Sequence, residues 1–114
     1  MKNIVLGMML LFVSLSTQAQ EKKNKNAKYT FEVNGNCEQC QKRIQKAAFS
    51  VSGVKMALWN IETHTMTVLI NEEKCELLEV KKAIAKVGHD TDQVKAEDAV
   101  YQSLHSCCLY ERVK

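Results

Sequence analysis

The sequence predicts an α+β sandwich, a four-stranded antiparallel sheet with two helices on one face and a short C-terminal extension. Three observations lead there. Apolar residues alternate in short runs and recur three or four apart in two longer ones, in the order strand, helix, strand, strand, helix, strand. Gly35, Gly53 and Gly88 fall at the junctions between these runs. No repeat or low-complexity segment interrupts them, so the order folds most simply as a split β-α-β pair.

Residues 29–33 put Tyr29, Phe31 and Val33 on one side and Thr30 and Glu32 on the other, the period of a half-buried strand. From Glu38 the spacing changes. Ile44, Ala47, Ala48 and Val51 form an apolar stripe between Gln41, Lys42, Gln45 and Lys46, an amphipathic helix that ends at Gly53. "VKMALWNI" and "TMTVLI" flank "ETH" as a hairpin. Ala57, Trp59 and Ile61 alternate on its first arm and Met66, Val68 and Ile70 on its second, leaving Leu58 and Leu69 on the opposite face. Leu77, Val80, Ile84 and Val87 then mark a second helix, with Gly88 where a left-handed cap costs least. "TDQVKA" reads as a short fourth strand.

Following the chain through this topology sorts the loops into two ends. The loop after strand one meets the loop after helix two at the top, whereas Cys75, entering helix two, lies at the bottom. Strand four would run down to that end.

The ends of the chain read differently. Residues 1–19, with Lys2, the apolar run "IVLGMMLLFV" and the small residues of "SLSTQA", resemble a secretory signal cut after Ala19. The apolar stretch is short for a bilayer span. A charged leader follows over 20–27, the folded domain over 28–96, and an extension carrying adjacent cysteines over 97–114. The expected location is therefore outside the cytoplasm, periplasmic in a Gram-negative source. Of 16 basic side chains Lys2 leaves with the signal, so 15 face 13 acidic ones. So small an imbalance gives no reason to expect nucleic acid or membrane insertion. About 85 residues support one modest core and no large substrate cleft.

All five cysteines, Cys37, Cys40, Cys75, Cys107 and Cys108, fall in the mature part, and their odd number weakens a reading in which they only staple the fold. Cys37 and Cys40 stand with two residues between them at the start of helix one. There the free amides and the helix dipole favour thiolates. Two converging soft ligands suit Cu(I), Hg(II) or Zn(II), and an open pair can pass the ion on by ligand exchange. Thiol–disulfide exchange and a permanent disulfide in an interaction module are the rival readings. The chain has no proline, the residue that normally faces the thiols of a thioredoxin-type site. A four-ligand zinc site would need Cys107 and Cys108 to complete it.

"YTFEVNGNCEQCQKRIQKAAFSVSGVKMALWNIETHTMTVLI" with "LEVKKAIAKVGHDTDQVKA" resembles the heavy-metal-associated domain of copper chaperones, metal-transporting P-type ATPases and the periplasmic mercury-binding protein. The specific marks are the cysteine pair, Ile44, "SGV" and "AKVGHDT". The resemblance implies a ferredoxin-like βαββαβ fold, no enzymatic activity, and Cys37 and Cys40 as ligands of a soft metal, Cu(I) first. It also implies hand-over to a metal-transporting P-type ATPase or other acceptor, by a monomer or a metal-bridged dimer. Here Gly35 is followed by Asn36 alone, so the loop is one residue shorter than the family's and lacks its methionine. His89 stands where some members place a third ligand, and is expected beside the loop. His64, Met56, Met66 and Trp59 read as turn, strand or core residues.

Beyond the resemblance, Val100, Leu104 and Tyr101 suggest a short helix packing back on the domain. Adjacent cysteines do not readily bond one another. With strand four ending at the bottom, a disulfide from Cys75 to Cys107 or Cys108 is expected, with a second metal site of His105, Cys107 and Cys108 as its alternative.

Overall fold

The computed structural model describes residues 23–112. The signal reading of 1–19 lies outside the described residues. The sheet is antiparallel, with β1 (Ala27–Glu32), β2 (Val54–Trp59) and β3 (Thr65–Ile70) in the order β1-β3-β2. Phe31 faces Met66 and Tyr29 faces Val68 across β1 and β3; Ala57 and Trp59 face Val68 and Met66 across β2 and β3. Helix α1 (Glu38–Phe49) buries Cys40, Ile44, Ala47 and Ala48, and α2 (Leu77–Lys86) buries Val80, Ile84 and Ala85. These helix stripes and the inward strand residues Phe31, Ala57, Trp59, Met66, Val68 and Ile70 form one core. Leu58, on the other face of β2, is 56% exposed, as its alternation requires.

The expected fourth strand is absent among the described residues. Its remnant is a single antiparallel bridge between Val33 and Thr91, beside a bond from the Asn34 amide to the Asp90 carbonyl at 2.9 Å. The Thr91 hydroxyl explains why it stops there. That oxygen accepts the amides of Gln93 (3.3 Å) and Val94 (2.9 Å), and the Thr91 amide donates to the Val94 carbonyl (2.8 Å). Side-chain bonding of this kind closes a local turn in place of a ladder. Lys81, only 4% exposed, reinforces it by donating to Gln93 (2.7 Å) and Asp92 (3.2 Å) with its ammonium above the Phe31 ring.

The turn keeps the chain at the top of the domain. After helix α3 (Asp98–Gln102), which buries none of its residues, a 3-10 turn over Ser106–Cys108 packs there against the start of α1. Cys75 remains at the other end, where a Cβ on Gly53 would lie 3.0 Å from its sulfur. The expected disulfide from Cys75 to the tail is therefore corrected: all five thiols are free, and the tail cysteines sit at the opposite pole because strand four never carries the chain down.

Gly53 itself has φ +102°, and an added Cβ would come 2.9 Å from that of Lys74. Both steric and dihedral strain oppose a side chain. Gly53→Ala is expected to cost about 1–3 kcal/mol, read as a lower urea midpoint.

Candidate metal centre

Cys37 caps the N-terminus of α1 with extended backbone, and its carbonyl accepts the Gln41 amide at 3.0 Å. Three residues on, Cys40 is fully buried in the first turn of the helix. The two sulfurs are 3.6 Å apart. The loop before them is held by Trp59. Its indole N–H donates to the Val33 carbonyl at 2.9 Å, and its ring edge would stand 3.0 Å from a Cβ on Gly35. A glycine is what lets the backbone pass between Trp59 and Cys40.

Two further sulfurs arrive from the tail. Cys107 lies 3.3 Å and Cys108 3.5 Å from the Cys37 sulfur, with 3.8 Å between them. Among the described residues, Cys37, Cys40 and Cys108 form a group whose ligand atoms all lie within 4.8 Å of one another. Cys108 is buried and Cys107 exposed. The separate tail site with His105 is thus replaced by a tail that joins the loop pair.

Electrostatics assigns these thiols different roles. Burial pushes the Cys37 thiol up, but the Cys40 amide and the thiols of Cys107, Cys108 and Cys40 more than offset it, lowering it to about 7. Cys40 is pushed up to about 12, mainly by burial, although the Asn36 amide donates to its sulfur at 3.4 Å. The hydrogen bond to Cys37 raises Cys107 to about 11. Of Cys37, Cys40 and Cys107, Cys37 is thus the thiol most readily ionised, while the Cys107 thiol donates to the Gln39 side-chain oxygen at 3.4 Å. Arg43 adds a fixed positive charge, its guanidinium donating to the Cys108 sulfur at 3.3 Å.

His89 is at the top, as expected, but the converging group does not include it. It is fully buried. Its Nδ1 lies 2.8 Å from the Asn34 carbonyl, which can only accept, so Nδ1 carries the proton. Nε2 then accepts from Arg43 at 3.4 Å. Burial, foremost, and Arg43 lower its pKa and keep the ring neutral, against the opposing pull of the Asn34 carbonyl and Asp90. Both nitrogens are engaged in positioning the loop.

Solved structures place this arrangement among known domains. The N-terminal domain of a potential copper-translocating P-type ATPase from Bacillus subtilis, in its Cu(I)-loaded state, matches with a TM-score of 0.56 at 28% identity, covering 66% of this chain and 95% of that one. Oxidized MerP from Ralstonia metallidurans CH34 matches with a TM-score of 0.56 at 26% identity, covering 59% and 94%. The apo copper chaperone of Enterococcus hirae matches with a TM-score of 0.52 at 29% identity, covering 57% and 96%. The fold is that of the heavy-metal-associated domains. No protein-family model and no curated protein matches the sequence. Heavy-metal-associated neighbours are thus covered almost whole, while roughly a third or more of this chain lies outside each match.

Sequence reasoning singled out Cys37 and Cys40, whose sulfurs the structure brings together, and placed His89's loop beside them; it missed Arg43 and the approach of Cys108. Arg43 carried a signal: it lies three residues after Cys40 and one turn further along the same helix.

Proposed function

We propose that this chain is an exported, non-enzymatic carrier of a soft metal ion, Cu(I) before Hg(II), held through Cys37 and Cys40. The convergence of their sulfurs, 3.6 Å apart at a helix N-terminus, carries this reading. Soft thiolates select monovalent copper and its heavier analogues over hard cations. The names of two neighbours, a copper chaperone and a Cu(I)-loaded ATPase domain, support the same cargo and a metal transporter as the receiving partner. Export rests on the signal-like residues 1–19, and mass spectrometry of protein from the native cell should find a chain beginning at Gln20.

The decisive test is anaerobic titration of the reduced protein with Cu(I) against a competing chelator. One ion is expected to bind, and the Cys37→Ser/Cys40→Ser double variant is expected to lose it. Unchanged affinity in that variant would remove Cys37 and Cys40 from the site.

A further inference from the structure

We propose that the C-terminal segment is a strap that supplies Cys108 as a third sulfur ligand, turning the open cysteine pair into an enclosed three-thiolate site. This rests on the reading of Cys37 and Cys40 as ligands and extends it.

The strap is anchored on both sides of its cysteines. Before them, Leu104 packs on Gly88, where an added Cβ would stand 3.0 Å from the leucine side chain. After them, Tyr110 is buried, its hydroxyl donating to the Gly88 carbonyl and accepting the Asp90 amide, each at 2.8 Å. Its ring stacks on His89 with centroids 5.5 Å apart. Arg112 grips the buried Asp90 carboxylate with two bonds of 2.9 Å and donates to the Ala96 carbonyl at 2.7 Å. These contacts all fall on the loop after α2, the one that adjoins the cysteine loop. Cys108 is therefore delivered by a built structure and not by a loose tail.

The distances suit one ion. A trigonal metal with bonds near 2.3 Å, the value for zinc thiolates, holds its sulfurs about 4 Å apart. The Cys37 sulfur is already 3.6 Å from that of Cys40 and 3.5 Å from that of Cys108. These two sides need widen only by a few tenths of an ångström, the third already lies within 4.8 Å, and the protons of the bound thiols leave to solvent. Arg43, 3.3 Å from the Cys108 sulfur, offsets the negative charge that three thiolates leave around a monovalent ion. Cys107, exposed at 3.3 Å from Cys37, stays on the solvent side of the triangle. Such a site retains its cargo until the strap's sulfur is displaced, whereas a bare pair gives it up at once to an acceptor's thiols.

X-ray absorption on the reduced full chain loaded with Cu(I) alone counts the sulfurs. Three are expected in the unmodified protein, two in Cys108→Ser, and three in Cys107→Ser. The chelator is expected to strip copper from Cys108→Ser faster than from the unmodified protein. A two-sulfur spectrum from the unmodified protein overturns the proposal without needing any variant to fold, and a fall in Cys107→Ser but not in Cys108→Ser overturns the assignment of the third ligand. Either result leaves the Cys37 and Cys40 reading intact, since only persistence of binding in their double serine variant defeats that.

Discussion

Trp59→Ala is expected to destabilise the domain by about 3–5 kcal/mol, the range for removing a buried large aromatic. The ring is 2% exposed and faces Met66 across the sheet. The substitution also deletes the indole bond to the Val33 carbonyl and the wall against which Gly35 lies. A small domain has only about 5–15 kcal/mol of net stability, so much of it goes with one side chain. The urea midpoint followed by circular dichroism should fall sharply, and the proposed Cu(I) binding should weaken in the variant at temperatures where it remains folded. Trp59→Phe, which keeps most of the packing but not the N–H, should lie between the two. An alanine variant within about 1 kcal/mol of the parent would mean that the core does not depend on Trp59 as described.

Arg112→Ala is expected to cost about 3 kcal/mol, because it strips the partner from a carboxylate with no exposed surface. Burial alone would push the Asp90 carboxyl up. The Arg112 bonds and the Ala96 amide more than offset that and hold it below its ordinary value of 3.8. A folded pKa below the unfolded one stabilises at pH above the unfolded value, and this stabilisation is lost as pH falls from near 3.8 through the folded value. The parent should therefore lose stability in that acid window, and Arg112→Ala should lose less there because the deficit is already present at neutral pH. Denaturant midpoints at neutral pH and across the window check both statements. Equal acid slopes in the two proteins would show that the pair does not hold the tail.

Much of this was legible from residue spacing, because the elements that formed as expected are those whose burial is periodic. The alternation through Ala57, Trp59, Met66, Val68 and Ile70 and the stripe through Ile44, Ala47 and Ala48 each have one face that must leave water. The fourth strand had no such face. "TDQVKA" offers Val94 as its one large apolar side chain, and there the hydroxyl of Thr91 outbid the ladder for backbone amides. That single departure moved the whole tail from one pole to the other, so the pairing expected for Cys75 went with it. The position of His89 was readable from topology. The engagement of its two nitrogens was not, since it depends on Arg43 and the Asn34 carbonyl meeting in space.

The span between the facing sulfurs has a consequence in time. Cys37 and Cys108 are separated by 71 positions, whereas Cys37 and Cys40 are separated by three. Closing a long loop costs more chain entropy than closing a short one, and contacts that distant form late unless something nearer has already shortened the path. Here the hairpin and both long helices shorten it first, so docking of residues 104–112 is expected to be the last step of folding. A newly made chain thus passes through a stage in which it already has its two-cysteine loop but not its third sulfur. If Cys108 closes the site as proposed, an ion that arrives during that interval meets the open pair and is enclosed only as folding completes.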